Sequence, residues 1–582
     1  MSRFINRKSV LSLLIALTLV AAFTGGILLR GSPTTTRASG TQNTNPLCAK
    51  LDKSLWGSAG MHAWCFGAQP STASAHTANG IAMKGSLSAN VNAANPHEDV
   101  SPAGVQNYGQ SETSVAGVGP YVVEAWNDST GFSSPCPSPM SKEELTGFGF
   151  SANGGKSFVD EGGLPNANCS AALLQGDPTV EAWRPGGSAY FYVGSLFNPT
   201  FTNPDTRSFI AVNACKATGT GTAAQISCGQ PIIVAASSQC TSFCSFLDKE
   251  FFSIDPVRGR LYTSYTEFLP SGGTQEELAV CDIGTATGGT GSAGGTAGTP
   301  VCFNGGAGSP GAPSAPYFIV APPDANGCEN EGSYPSVDVK TGNVYIAFEH
   351  NDAALFGGVC GGIPVQEIVN YVPASCLALT ATSPCAGPAK VNAVSINSMQ
   401  AAFIPGYNRF PMNDFPRIAV SDKFNTVSIV WNDTRLHPAG DILMQSFNLV
   451  ALSGVQTAPV RINSSTGGWH MLPGLRNANA NGDLNISFYG RSSANTDVTN
   501  VFVALNVNPR TTSSPGTNAL VTNKASAWLD VSSDIVPNFG DYTDNYIIAT
   551  PSAPSTGSKL YIAWSDGRLG DPQPFEANTS TH

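Results

Sequence analysis

One pattern limits the fold of this 582-residue chain more than any other: a unit that returns seven times after about residue 110. Each unit opens near an acidic residue, followed by a short run of alternating apolar residues. A turn containing Gly or Asn comes next, then a second apolar run that often ends in an aromatic. The units read SETSVAGVGPYVVEAWND from Ser111, GDPTVEAWRPGGSAYFYVGS from Gly176, DKEFFSIDPVRGRLYTSYTE from Asp248 and GSYPSVDVKTGNVYIAFEH from Gly332. NDFPRIAVSDKFNTVSIVWNDTR from Asn413, MLPGLRNANANGDLNISFYGR from Met471 and GDYTDNYIIATPSAPSTGSKLYIAWSDGR from Gly540 complete the set. From Gly176 to Gly540 six steps span 364 residues, about 61 each. A unit of that length holds four strands. One four-stranded sheet cannot bury both of its faces alone, and radial stacking of sheets does so. The repeat therefore predicts an all-β propeller of seven four-stranded blades over residues 85–582. A six-bladed ring with one degenerate unit is the alternative. The last unit shows no fourth strand after Arg568, so residues 85–95 (GSLSANVNAAN) are expected to supply it and close the ring.

Composition agrees with short strands and many turns: charged residues are 12%, with 62 Gly and 41 Pro. The net charge is −11 and no basic stripe is visible, which excludes nucleic acid as a partner. At the N-terminus Arg3, Arg7 and Lys8 precede an apolar run, Val10 to Leu29, closed by Arg30. Residues 1–40 thus read as a signal peptide or an uncleaved signal anchor in the membrane, and both place the body of the chain outside the cytoplasm. Residues 41–84 read as a low-complexity linker with one small Cys-stapled loop around Trp56 and Trp64. Residues 283–300, almost all Gly, Thr, Ala and Ser, read as a flexible insertion.

Fourteen Cys in an exported chain read as disulfides. The simplest pairing is sequential: Cys48–Cys65, Cys136–Cys169, Cys215–Cys228, Cys240–Cys244, Cys281–Cys302, Cys328–Cys360 and Cys376–Cys385. No CxxC pair exists and the seven His do not cluster, so no metal site is expected from them. No GxSxG, HExxH or phosphate-loop motif is present.

Two local strings resemble the sialidase superfamily and its neuraminidase-repeat relatives. Ser151-Ala152-Asn153-Gly154-Gly155-Lys156-Ser157-Phe158 is similar to the family's Asp-box, with Asn153 for the Asp and Phe158 for the Trp. The resemblance implies a structural role for Ser151, Asn153, Gly155 and Phe158 in a turn between the third and fourth strands of a blade. Trp431-Asn432-Asp433-Thr434-Arg435, repeated as Trp564-Ser565-Asp566-Gly567-Arg568 and in part as Trp126-Asn127-Asp128, resembles strand endings of bacterial sialidase-like propellers. The family implies a glycoside hydrolase with three substrate-gripping arginines, an acid/base carboxyl and a Tyr–Glu nucleophile pair. The string nearest to its Phe/Tyr-Arg-Ile-Pro motif is Phe415-Pro416-Arg417-Ile418, in the fifth unit.

Strand direction says where chemistry can sit. Successive strands of a blade alternate, so the start of the first strand and the end of the second share one face. Glu112, Asp177, Glu250, Glu331, Asp414 and Asp541 fall at first-strand starts. Asp128, Asp433, Arg435, Arg491, Asp566 and Arg568 fall at second-strand ends. Carboxylates there can do acid/base or nucleophilic work on glycosides, and arginines can grip a carboxylate or sulfate. The catalytic candidates are Asp541, Tyr542, Asp414, Glu250 and Asp177, with Tyr542 as nucleophile or stacking platform. The substrate-binding candidates are Arg417, Arg435, Arg491, Arg568 and Glu112. Each has a bland counterpart: an Asp before a strand caps turn amides, and a Trp-x-Asp-x-Arg ending forms an ion pair inside its own blade. No cofactor is expected, although a ring of acids could bind Ca²⁺. The chain reads as an exported, monomeric, sialidase-like propeller acting on or binding glycans. The alternative is a non-catalytic cell-surface propeller that binds a protein or polymer.

Overall fold

The computed structural model describes residues 45, 47–48, 58–66, 81–82, 87, 89–100, 108–133, 144–199, 207–238, 240, 243–303, 316–325, 327–351, 365–396, 399, 403–409, 412–548 and 558–581. The signal or anchor segment 1–40 lies outside the described residues. Among those described, no helix is long and apolar enough to cross a membrane.

Seven antiparallel sheets follow one another along the chain, and they form a seven-bladed β-propeller. The innermost strands of blades 1 to 7 are Gln110–Val118, Thr179–Trp183, Phe246–Asp255, Glu329–Asp338, Arg417–Ser421, His470–Gly474 and Asp544–Ile548. Each begins within a few residues of one of the seven repeat units. In blade 2 the innermost position is shared, because Ala172–Leu174 pairs with the same second strand as Thr179–Trp183. Every pair of neighbouring blades is joined by an apolar cluster: blades 7, 1 and 2 together, then 2 and 3, 3 and 4, 4 and 5, 5 and 6, and 6 and 7. Trp431, Trp528 and Trp564 are fully buried in this material, and Trp126 is fully buried with Ala93 and Ala94 in a smaller cluster. Burying a large apolar side chain contributes about 1.5–3 kcal/mol.

Ring closure follows the expectation. The third strand of blade 7 is Gln573–Thr581, and its outer partner is Val91–Asn92 from the N-terminal side of the chain. A second early strand, Ile81–Ala82, pairs with Lys524–Ala527 at the outer edge of blade 6.

Five of the sequential disulfides are present: Cys48–Cys65, Cys215–Cys228, Cys240–Cys244, Cys281–Cys302 and Cys376–Cys385. Cys169 and Cys328 are also disulfide-bonded. Their expected partners, Cys136 and Cys360, lie outside the described residues.

Two low-complexity stretches carry more structure than their composition suggests. The stapled loop includes a helix, Ala59–Phe66, whose Met61, Trp64 and Cys65 pack with Leu196 and Phe246 of blades 2 and 3. Ala59 and Ala63 pack with Leu145 and Ile535. The Gly-rich insertion after Asp282 is a chain of tight turns held by one buried carboxylate. Asp282 accepts from the amides of Gly284 and Ala293, and Gly284, Gly288 and Gly294 take positive φ in those turns. Gly and Thr here serve turn geometry, which composition alone reads as flexibility.

A recurring bulge shapes the inner ring. The pairing of first and second strands slips between Ser111 and Ser114, Asp248 and Phe251, Glu331 and Tyr334, and Met471 and Gly474. At each slip one residue is left-handed: Glu112, Lys249, Gly332 and Leu472, with φ of 56°, 55°, 70° and 48°. Asp177, at 53°, fills the same role in the break of blade 2. A bulge interrupts side-chain alternation and re-aims the residue at the kink.

Candidate functional site

The bulges and first-strand starts bring several blades' charges to one point. Lys249 Nζ lies 2.8 Å from Asp177, 2.7 Å from Asp541 and 3.5 Å from Glu112, and all four side chains are fully buried. Asn127 donates to Glu112 at 2.8 Å, and the Asp541 amide donates to the other Glu112 oxygen at 3.0 Å. Arg409, from the chain entering blade 5, forms an ion pair with Asp541. Tyr407 donates its hydroxyl to the Gly540 carbonyl at 3.0 Å. Three of the first-strand acids thus converge on a cation that the chain itself supplies, the Lys249 ammonium.

A second group fills the middle of the ring. Arg476, from the residues after blade 6's inner strand, lies 3.2 Å from Asp544 of blade 7 and 3.8 Å from Glu181 of blade 2. It also donates to Tyr334 Oη of blade 4 at 3.0 Å and to Thr179 Oγ1 at 3.1 Å. One guanidinium thus ties its own blade to three others. Arg417 lies over the rings of Phe251, Tyr334 and Tyr542, with centroid distances of 5.0, 4.9 and 5.7 Å. It donates to the Pro416 carbonyl at 3.4 Å, and among the described residues its buried Nε has no partner. Tyr542 donates to the Pro178 carbonyl at 2.9 Å and lies 5.9 Å from Lys249, which joins the two groups.

Burial sets the electrostatics. It pushes the Glu250 carboxyl well above the usual range, with Asp177 adding to the effect, and neither Glu250 oxygen has a hydrogen-bond partner. Burial raises Asp177 to about 7 against the pull of Lys249. Burial acts the same way on Asp541, but Arg409 and then Lys249 outweigh it and hold that carboxyl below its ordinary value. Burial lowers Arg417, with Tyr334 and Asp544 opposing. Neighbouring groups therefore differ in charge state because their surroundings differ.

The sequence candidates divide. Glu112, Asp177, Glu250, Arg417, Asp541 and Tyr542 come together. Asp414 is buried at the start of blade 5 with partners of its own, accepting from the Met399 amide and, at 2.7 Å, from Asn432. Arg435 and Arg568 hold aspartates of their own blades and also tie to the neighbouring blade, Arg435 through the Ser395 carbonyl of blade 4 and Arg568 through Asn523 and the Lys524 carbonyl of blade 6. Arg435 pairs with Asp433 at 2.8 Å and Arg568 with Asp566 at 2.6 Å, while Trp431 and Trp564 each donate to the same aspartate. Arg491 packs over Trp528 at 4.7 Å and donates to Thr499. Asn153 accepts from the amides of Lys156 and Ser157, and Ser151 from that of Gly155, which closes the turn that ends at Phe158. Sequence reasoning missed Lys249, Arg409 and Arg476. Lys249 had a signal: it is the cation at the bulge position where blades 1 and 2 carry Glu112 and Asp177.

The whole group is covered. None of Glu112, Asp177, Lys249, Glu250, Arg409, Arg417, Arg476, Asp541 or Tyr542 is more than 3% exposed. Ser58, just before the Ala59–Phe66 helix, is one of the groups that act on Asp248 beside Lys249, where burial raises the carboxyl to about 6 and Lys249 pulls it back. Elsewhere Asp324, Cys328 and His350 lie near one another, but the Cys328 sulfur is committed to a disulfide and offers no thiolate to a metal.

No protein-family model matches the chain, and no curated protein matches it. Among solved structures it is similar to an α-L-arabinofuranosidase of Fusarium graminearum, at 9% identity over 86% of this chain and 98% of that one, with a TM-score of 0.40. A sialidase of Trypanosoma rangeli aligns at 10% identity over 84% of this chain and 59% of its own, with a TM-score of 0.35. An α-L-arabinanase of Penicillium chrysogenum aligns at 9% identity over 87% and 98%, with a TM-score of 0.33.

Proposed function

We propose that this chain is an exported, monomeric propeller that acts on anionic glycans at the centre of its ring, in the manner of a sialidase-like glycoside hydrolase. The observation that carries this reading is Arg417. Among the described residues it forms no ion pair, its Nε is unbonded, and an aromatic wall of Phe251, Tyr334 and Tyr542 surrounds it. A guanidinium so placed suits a sugar carboxylate. Glu250, kept protonated by burial, is the general acid of this reading. Asp541, kept ionised by Arg409 and Lys249, is the stabilising carboxylate. Asp177, Asp414 and Tyr542 are the further catalytic candidates, with Glu112 positioning Asp541 through its amide. The Asn153 turn bonds support the Asp-box reading, and the five disulfides support an extracellular location.

A second reading, a non-catalytic surface propeller that binds a protein or polymer, draws on the closure of the group. Arg409 and Arg476 already hold carboxylates of the protein itself. Hydrolysis of a panel of fluorogenic glycosides, sialosides included, separates the two. Turnover by the wild type that falls at least 100-fold in Arg417→Met, with cooperative melting retained, is the expected result. Silence across the panel from a protein that melts cooperatively selects the second reading.

A further inference from the structure

Blades 1 and 2 hold an open cleft of about 340 Å³ far from the buried centre. It is lined by Tyr121, Arg184, Ser188, Lys216, Thr218 and Gly219, among others. Tyr121 follows the turn between the first and second strands of blade 1, and Arg184 and Ser188 flank the corresponding turn of blade 2. Lys216 and Thr218 end the third strand of blade 2. These are the ends of the blades opposite to Glu112 and Asp177, so the cleft lies on the other face of the ring.

Its charge is out of keeping with the chain. The protein carries a net −11, yet the lining has two cations and no carboxylate. Among the described residues neither Arg184 nor Lys216 forms an ion pair, and both are exposed. Each is nevertheless oriented. Arg184 Nε donates to the Gly187 carbonyl at 3.2 Å, which leaves the outer guanidinium nitrogens for a ligand. Lys216 Nζ lies over the Tyr190 ring at 5.6 Å, beside the Cys215–Cys228 disulfide. The turn after Arg184 is pinned from outside, since the Gly186 amide donates to Ala286 of the Gly-rich insertion at 3.0 Å. Tyr121 donates its hydroxyl to the Gly219 carbonyl and stacks on Phe150 at 5.9 Å, which fixes the aromatic wall. A cleft held this way spends little ordering entropy on binding.

We propose that this cleft is a second binding site, for an anionic saccharide. The carboxylate or sulfate sits between Arg184 and Lys216, and the sugar ring lies against Tyr121 with the Ser188 and Thr218 hydroxyls at its edge. The volume is at the small end of ligand pockets (roughly 300–1,000 Å³) and suits about one or two sugar rings. The site can hold a charged glycan while the centre of the ring stays covered, so it does not depend on the channel chemistry.

Titration calorimetry on the full chain tests it, with methyl β-D-glucuronide, N-acetylglucosamine 6-sulfate, inorganic sulfate and neutral methyl β-D-glucoside as probes. Both acidic sugars are expected to bind at least tenfold more tightly than the neutral one, and more tightly than inorganic sulfate. Arg184→Gln combined with Lys216→Gln is expected to weaken them at least tenfold without moving the melting temperature, because both side chains are exposed. The weakening in the double variant is what places this binding at the cleft, because Arg184 and Lys216 lie on the face opposite the channel groups. Equal binding of the neutral sugar, equal binding of inorganic sulfate, full affinity in the double variant, or no binding of either acidic sugar would overturn the proposal.

Discussion

Lys249 shows how much one side chain can decide. Its ammonium group holds Asp177, Asp541 and Glu112 together where water does not reach. Removing one partner of a buried ionic group leaves the others uncompensated, which costs about 3–5 kcal/mol. Lys249→Met is therefore expected to lower the unfolding free energy by that amount in urea titration, and an unchanged midpoint would mean that Asp177 and Glu112 simply take up protons.

Protonation itself is written into the pH dependence. Burial raises Asp177 and Glu181 to about 7, and Glu276, Glu331 and Glu576 to about 8. Unfolded carboxyls titrate near 4. Between those values the folded chain holds more protons than the unfolded one, so stability falls as pH rises from about 4 to about 8. Asp541 acts in the opposite sense, but only below its unfolded pKa. The melting temperature is expected to drop steadily from pH 5 to pH 8.5. Glu124 offers a single-residue check. Burial, then Glu576, raises it well above the usual range, and neither of its oxygens has a partner. Glu124→Gln is expected to raise the melting temperature at pH 8.5 and to leave it nearly unchanged at pH 5.

At the scale of the strand, the bulge is the unit that repeats. Gly332 shows why its left-handed residue is constrained. Its φ is 70°, and a Cβ there would stand 2.3 Å from the Phe415 ring. Left-handed strain costs an L-residue about 1–2 kcal/mol and overpacking a further 1–3. Gly332→Ala is expected to lose about 2–5 kcal/mol in chemical denaturation, and a loss below about 1 kcal/mol would show that Phe415 swings away freely. The bulge also explains which strand-level features were legible. The alternating apolar runs on either side of each turn marked all seven first and second strands. The kink did not show, because Glu112, Asp177, Lys249 and Leu472 share a backbone conformation but no side-chain type. The Trp-x-Asp-x-Arg endings had two readings in sequence, and their internal pairs, Asp433–Arg435 and Asp566–Arg568, are local enough to have been anticipated.

At the scale of the molecule, the fold was open to reading because a propeller is a local repeat, and each disulfide with both partners described closes a short loop within one stretch of chain. The centre was not. Arg476 meets Val180 across 296 residues and Tyr334 across 142, and no spacing rule reports such contacts. The docked helix Ala59–Phe66 escaped notice for the same reason: its partners Leu196 and Phe246 lie in blades far along the chain.

The seam between Val91–Asn92 and Gln573–Thr581 carries a further consequence. Asn92 and Gln573, which hydrogen-bond across it, are 481 residues apart. The seam has no partner strand to build on until blade 7 exists, so it is the last contact of the ring to become available during folding. Until then the edge Gln573–Thr581 is open, and an open edge accepts a matching strand from any chain. A neighbouring copy carries that strand, so closure within one molecule competes with exchange between two, and concentration decides the balance. Refolding at high concentration is expected to give strand-exchanged dimers that refolding at high dilution avoids. Size-exclusion chromatography of the two preparations measures the difference, and monomer alone from both would mean that the seam zips faster than molecules meet.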